Sequence, residues 1–297
     1  MSSAYREIAG ARSTAWFPGC RPVFAMMALG LAALFFFLVV PMSAWGAPAT
    51  TQSGSQSDSV ARRPLARSEQ ERTDFNTAYA LTGAAREEAA AIDFSNKYPT
   101  SELRRYLYSS AMLQYQKENN PVKMLAMSER VLALDPDNPL ALVLTATVLA
   151  DSLGDHDRDK DKKISTIKHN ASRAIQAAEA GYLDPSGGAA AYKTTLQSMA
   201  YSALGIMKLK TGDDAGAEKD LKMATELAKF RPDGHTWYHL ALAQDHRKKY
   251  VAAFSSIQQA LQLASSDPEL QKLAEVEHER LAALARGPRN GAPTEPQ

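Results

Sequence analysis

The feature that most constrains this 297-residue chain is a pattern of large and small apolar residues that occurs twice, 36 residues apart. The later copy contains Trp237, Leu240, Ala241, Ala253, Ile257 and Ala260, and the earlier copy contains Tyr201, Leu204, Gly205, Ala217, Leu221 and Ala224. Residues three or four apart share one face of a helix. Self-similarity at a period of about 20–50 residues is typical of arrays in which each unit packs against the next. The pattern therefore predicts stacked helical hairpins, with Trp237 and Tyr201 filling the space between units.

The order of large, small and aromatic positions resembles that of the tetratricopeptide (TPR) family. The resemblance is strongest in the last two units, and Leu-Asp-Pro-Asp-Asn-Pro at 134–139 resembles the family's turn between repeats. The chain departs from the family pattern at Met112, where the family has a small residue, and at Asp74, where it has a large one. The resemblance implies an all-α fold: a TPR-type α-solenoid of antiparallel helix pairs, with an N-terminal hydrophobic segment and a C-terminal capping helix.

Composition and motifs exclude several classes of function. Lys and Arg number 34 against 33 Asp and Glu, so the net charge of +1 provides no general attraction for nucleic acid. The single cysteine, Cys20, excludes an internal disulfide framework and a cysteine-based zinc site. The sequence contains no phosphate-binding glycine loop, nucleophile elbow or metalloprotease helix. We therefore expect a protein that is not an enzyme, with no cofactor and no resident metal.

The amino-terminal part predicts export. Residues 1–22 are basic, and residues 23–46 contain an uncharged apolar run from Val23 to Val40 followed by the small residues Ala44 and Gly46. Basic residues on the amino side predict that this end stays in the cytoplasm. The run fits both a cleaved signal peptide and a retained membrane anchor. Either alternative places the body across the inner membrane, free in the periplasm or anchored with the repeat domain outside the cytoplasm.

The rest of the chain divides by composition. Residues 47–68 are polar and predict a flexible linker, 69–286 a TPR-like helical repeat domain, and 287–297 a disordered tail. The charged segment from Asp155 to Lys163 interrupts the regular spacing as an insertion between two helices. Its alternating acids resemble a calcium loop, but Lys160 stands where the loop needs glycine and Thr166 where it needs glutamate. A solvated loop is the preferred interpretation.

Three histidines, His235, His239 and His246, fall at spacings of four and seven on one predicted helix face. Such a face can bind zinc or change charge near neutral pH. No motif supplies a third metal ligand, so the polar lining of a groove is preferred over a metal-dependent enzyme, which stays an alternative.

In the TPR arrangement, the inner face of each first helix lines a concave groove, and many family members use fixed cations there to bind a terminal carboxylate. The matching positions carry no fixed cation in this sequence, so that clamp is absent. Packing inside the array is the alternative role for these side chains. The candidates are Tyr106, Ser110, Leu113, Leu144, Met199, Ala203, His235, Tyr238, His239 and His246.

These candidates predict a partner protein or peptide segment of apolar character, with membrane contact through residues 23–40 when that segment is retained. The expected function is a non-enzymatic scaffold or adaptor in a bacterial cell envelope. The alternative is a membrane-anchored accessory subunit that docks on an envelope enzyme or secretion complex through its convex side.

Overall fold

A computed structural model describes residues 66–180, 189–229 and 231–286. Several predicted segments lie outside the described residues. They are residues 1–22, 23–46 and 287–297, most of the linker at 47–68, and the loop predicted between Gly181 and Gly188. The export and anchor predictions therefore stay predictions. In the described part, eleven α-helices and one short 3₁₀ helix are present and no strand is formed.

The helices follow one another with short connections. They are α1 (Glu69–Tyr79), α2 (Ala84–Lys97), α3 (Arg104–Lys117), α4 (Pro121–Leu134), α5 (Pro139–Asp151), α6 (Lys160–Glu179), α7 (Ala189–Lys210), α8 (Asp214–Leu227), α9 (Gly234–His246), α10 (Tyr250–Leu263) and α11 (Pro268–Ala285), with the 3₁₀ helix at Ala264–Ser266. Because α6 begins at Lys160, the second half of the charged insertion is helical and only its first half is loop.

Neighbouring helices pack in pairs: α1 with α2, α3 with α4, α5 with α6, α7 with α8, and α9 with α10. The first helices of successive pairs also touch, α5 with α7 and α7 with α9, and α11 packs on α10 at the end of the series. The all-α fold and the packing of adjacent helix pairs are thus as the sequence predicts.

Side chains just before the helices fix where many of them begin. At six of these positions, a side-chain oxygen accepts a hydrogen bond from the main-chain N–H three residues on. The six residues are Ser68, Asn120, Asn138, Asp213, Asp233 and Asp267. These bonds satisfy amides that have no partner inside the helix. Pro121, Pro139 and Pro268 occupy the first helical turn, where a missing N–H costs little. At α1, Glu71 folds back onto the Arg67 N–H at 2.6 Å, one residue earlier than in a standard capping box.

The buried side chains of the described residues form three apolar clusters along the chain. The amino-terminal core lies among α2–α5, the central core among α5–α9, and the carboxyl-terminal core among α9–α11. Trp237 is half-buried and packs against both the central and the carboxyl-terminal core, as expected for a side chain between two units. Tyr201, the equivalent residue one unit earlier, is half-buried too.

Gly205 lies where α7 and α8 approach each other most closely. A Cβ atom at this position would lie 2.5 Å from Leu221 Cγ and 3.2 Å from the Leu221 main-chain nitrogen. Such separations lie well inside van der Waals contact, so any larger side chain forces the helices apart. The alanines one unit later, Ala241 and Ala253, are fully buried. The small positions of the repeated pattern therefore lie at close helix contacts.

Among the described residues, no helix combines the length and apolar character that crossing a bilayer requires. The apolar run from Val23 to Val40 is not among those residues.

Candidate partner-binding face

The candidate residues lie on the first helices α3, α5, α7 and α9, and their accessibility divides them. One of them, His246, is exposed. Seven are half-buried, namely Tyr106, Ser110, Leu113, Met199, His235, Tyr238 and His239. We call this set of eight the first-helix face. Half-buried side chains keep part of their surface available to a partner while the helix holds them in place.

Two candidates are core residues. Leu144 is 2% exposed within the amino-terminal core, and Ala203 is 0% exposed within the central core. Both side chains are used by packing between helices, so the prediction that they line a binding surface is wrong for these two positions. The sequence pattern places residues on a helix face but does not reveal how closely the neighbouring helix covers them.

On α3, the face combines aromatic and aliphatic surface with polar groups. The Arg105 guanidinium lies 5.1 Å from the centre of the Tyr106 ring and 3.6 Å from Asp135. Ser110 donates a 2.6 Å hydrogen bond to Glu87 on α2, so its hydroxyl holds two helices together. Leu113 packs partly on the amino-terminal core. Tyr106 and Leu113 therefore supply the apolar surface of this helix.

On α7 and α9, the apolar surface comes from Met199 and Tyr238. Met199 contacts both the amino-terminal and the central core. The Tyr238 ring packs on the carboxyl-terminal core and meets the His239 ring edge-to-face at 5.5 Å. Thioether and aromatic groups adapt to differently shaped apolar partners.

The three histidines have separate partners. His235 Nε2 lies 2.7 Å from Asp267 at the start of α11, and His246 Nδ1 lies 2.8 Å from Asp214 at the start of α8. His239 Nδ1 donates to the His235 main-chain oxygen at 3.1 Å. Within residues 66–180, 189–229 and 231–286, no group of three or more His, Cys, Asp or Glu side chains is placed to hold a metal ion.

The carboxylates of the calcium-like segment are engaged within the chain. Asp157 accepts hydrogen bonds from the Gly154 N–H at 2.9 Å and from Lys163 at 2.8 Å. Asp155 pairs with Lys160 at 3.1 Å. The interleaved lysines neutralise the acids, as expected for a solvated loop.

A polar cluster beside the face is absent from the sequence prediction. Lys210, the last residue of α7, donates a hydrogen bond from Nζ to the main-chain oxygen of Asp151, the last residue of α5. Asp151 and Lys210 are half-buried, and His235 and His239 of α9 lie within electrostatic range of them. Lys210 follows Met199 by eleven residues, which is three helical turns. The residue spacing that identified the first-helix face could therefore have been extended to Lys210. The sequence contains no pattern that predicts the contact of Lys210 with Asp151, which is 59 residues away.

Burial controls the ionisation of this cluster. It raises the pKa of Asp151 to about 6, against the smaller opposing effect of the Lys210 charge. Burial, with smaller contributions from the neighbouring Lys210 and His235, lowers the pKa of His239 to about 3. Burial likewise lowers the pKa of Lys210. His239 is therefore neutral at physiological pH, and its Nδ1–H bond to the main chain leaves the lone pair on Nε2.

Comparison with known proteins gives no family assignment. No protein-family model matches the chain, and no curated protein matches it in sequence.

Proposed function

We propose that this protein is a non-enzymatic TPR-type scaffold that binds an apolar segment of a partner polypeptide on its first-helix face. The observation that carries the proposal is the half-buried apolar side chains on three of its first helices, namely Tyr106, Leu113, Met199 and Tyr238. Side chains of this type spread over several helices suit an extended or helical peptide, which buries alternate or periodic anchors.

The TPR assignment within this proposal is supported by the recurrence of contacts at the repeat spacing. Gly205 packs against Leu221 in one hairpin, and Ala241 and Ile257 are fully buried at the same positions of the next. Trp237 lies between two cores at the position where the repeated pattern places a large residue. The turn at 134–139 supports it too, because Asn138 caps α5 and Pro139 opens it.

We place the scaffold in a bacterial cell envelope. The support is the basic segment at 1–22 followed by the apolar segment at 23–46, which together have the order of an export signal or an anchor. The partner is accordingly an envelope protein, or a segment of one that is present outside the cytoplasm.

A second candidate function is that of an accessory subunit of an envelope enzyme or secretion complex. Such a subunit would dock through the second helix of each helix pair. The observation in its favour is two exposed aliphatic side chains on those helices, Val122 on α4 at 76% exposed and Val251 on α10 at 71% exposed. Exposed aliphatic residues are common on protein surfaces, so two of them are weaker support than a set of residues on three first helices.

Site-specific photo-crosslinking in the native cells separates the two candidates. A photoreactive amino acid at Tyr238 or Leu113 tests the first-helix face, and the same amino acid at Val122 or Val251 is the matched control on the second helices. The scaffold proposal predicts one discrete adduct from the first pair and none from the second. Adducts from Val122 and Val251 alone support the accessory-subunit candidate and contradict the first.

A further inference from the structure

The last helix, α11, carries two apolar stripes. One of them is buried and consists of Leu270, Ala274 and Leu281. The other is open to solvent, since Leu273 is 37% exposed, Val276 54% and Leu284 39%. A helix that covers the open end of a stack needs a polar outer face. The outer side of α11 departs from that requirement and has the character of a contact surface.

The exposed apolar residues of α11 lie in one row along the helix. Val276 follows Leu273 by three residues, and Leu284 follows Val276 by eight, so the three side chains share a face. Arg280 lies between Val276 and Leu284 in the same row. Exposed apolar side chains are ordinarily scattered, but three of the eight large ones among the described residues lie here. We call Leu273, Val276, Arg280 and Leu284 the α11 outer row.

The charged groups in the middle of this row are held in place. Arg280 donates hydrogen bonds to Glu277, from Nε at 2.9 Å and from Nη2 at 2.7 Å, and Nη2 also donates to Asp245 of α9 at 2.6 Å. The Arg280 side chain nevertheless stays 42% exposed, and Glu277 is half-buried. The outer side of α11 therefore presents a base and an acid next to each other.

The row is complementary to itself when two α11 helices lie antiparallel. The midpoint between Leu273 and Leu284 falls between residues 278 and 279, and the midpoint between Glu277 and Arg280 falls at the same place. One twofold axis at that point sets Leu273 opposite Leu284 of the second copy. The same axis sets Glu277 opposite Arg280 of the second copy. Pairs of identical chains use surfaces of this kind, in which one patch contacts itself, whereas binding of a different protein requires no shared midpoint.

We propose that the α11 outer row is the contact surface for a second copy of this chain, with the two α11 helices antiparallel. The pairing covers the exposed leucines and sets opposite charges against each other, whereas a parallel pairing sets Arg280 against Arg280. This inference goes beyond the proposed function and does not rest on it, because α11 carries none of the residues of the first-helix face. A pair of chains presents two such faces, which strengthens binding to a partner that offers two segments.

Disulfide trapping tests the register of the two helices. In a Cys20→Ser background, two full-length chains with different tags carry Leu273→Cys and Leu284→Cys, and a mild oxidant takes up the two electrons. The mixture is expected to give a disulfide-linked species with both tags, and each variant alone is expected to give none. Identical positions lie about 16 Å apart along the axis in this register, and a disulfide needs Cα atoms within about 7 Å. A linked species from Leu273→Cys alone, or none from the mixture, overturns the proposal.

Sedimentation of the full-length chain in detergent tests the apolar contact. We expect a reversible dimer whose dissociation constant rises about a hundredfold or more in Leu273→Glu, because the twofold axis repeats the loss at two places. Val122→Glu on α4 is the matched control, since it changes an exposed aliphatic residue outside the row and keeps the dimer. Glutamate is a good helix former and Leu273 is exposed, so circular dichroism should show unchanged helicity.

The same measurement separates the other possible occupants of the row. A chain that is monomeric at every concentration overturns the proposal, whether another segment of the chain or a different protein covers the row. A dimer that Leu273→Glu leaves unchanged also overturns it, because association then uses another surface, such as the apolar run from Val23 to Val40. Neither measurement involves the partner of the first-helix face. Failure of this inference is therefore distinct from failure of the scaffold proposal, which the photo-crosslinking decides.

Discussion

Lys208 on α7 lies 2.6 Å from the Asp220 carboxylate on α8, and the pair 36 residues later, Gln244 and Ser256, is hydrogen-bonded at 2.8 Å. Different side chains thus make the same connection between the two helices of successive hairpins. Asp220 and Ser256 are both buried, so each connection satisfies a polar group that solvent does not reach. This equivalence shows that the two hairpins repeat in their polar contacts as well as in their apolar ones.

The equivalence predicts that one pair can replace the other. Asp220→Ser alone and Lys208→Gln alone each leave a partner unpaired, at a cost of about 1–3 kcal/mol in the free energy of unfolding. The double variant recreates the pair of the next hairpin, so its cost falls below the sum of the single costs by about 1 kcal/mol. Urea denaturation of the four proteins measures this coupling. Strictly additive costs would show that the two positions are not equivalent to Gln244 and Ser256.

Enlarging Gly205 tests the close approach of α7 and α8. Gly205→Val places atoms inside the Leu221 side chain and is expected to lower the free energy of unfolding by about 1–3 kcal/mol. Gly154→Ala is the control, because its nearest neighbour, an Asp157 oxygen, lies at an ordinary 3.5 Å. We expect the control to change stability by less than about 0.5 kcal/mol. A tolerated valine at 205 would mean that the helices are farther apart than described.

Removing the Trp237 side chain tests its position between two cores. Trp237→Ala is expected to cost about 2–4 kcal/mol, somewhat less than for a fully buried tryptophan, because the side chain is half-buried. Tyr201→Ala changes the equivalent residue of the preceding hairpin and is expected to cost less, because Trp237 packs against two cores. Chemical denaturation of both variants gives the comparison, and a smaller loss for Trp237→Ala contradicts the account.

Glu218 on α8 predicts sensitivity to acid. Burial alone would raise its pKa, but hydrogen bonds from Lys222 and Lys249 outweigh burial and lower the pKa to about 2. Arg247 also pairs with the carboxylate. Because the folded pKa lies below the ordinary 4.5, the stabilisation is present above about pH 4.5 and is lost as the pH falls towards 2.

The matching variant is Glu218→Gln, which is expected to cost about 2–3 kcal/mol at pH 7 and about half as much at pH 3. Glu226→Gln, at an exposed position on the same helix, is the control and should have little effect at either pH. Denaturation curves at the two pH values provide the test. An equal cost of Glu218→Gln at both would show that the carboxylate is not held in its charged form.

Local signals in the sequence predict much of the fold. A capping residue followed by proline predicts a helix start, because the cap bonds to a main-chain N–H only three residues on. Two such pairs are Asn138 with Pro139 and Asp267 with Pro268. The small residues at Gly205 and Ala241 predict close helix contacts because their spacing repeats. The part of the candidate face on α7 and α9 follows from the same periodicity, except at Ala203, where the neighbouring helix covers the side chain.

Contacts between distant parts of the chain could not be predicted in the same way. The approach of Lys210 to Asp151 depends on how the charged insertion lets α6 and α7 return to α5, and the regular spacing fails there. The pairing of His235 with Asp267 depends on the position at which α11 packs relative to α9. Each depends on the angle between helices, which the identity of the residues alone does not specify.

The first helices α7 and α9 of the last two hairpins lie side by side and so present their candidate residues on one face. Ser202 on α7 and Thr236 on α9 are hydrogen-bonded at 2.9 Å and offer the most direct measurement. In a Cys20→Ser background, Ser202→Cys with Thr236→Cys is expected to form a disulfide when a mild oxidant takes up the two electrons, detected as loss of two hydrogen atoms in the intact mass. Ser202→Cys with Ser255→Cys, on the exposed side of α10, should stay reduced. Failure of the 202–236 pair to oxidise in the folded protein would contradict the account.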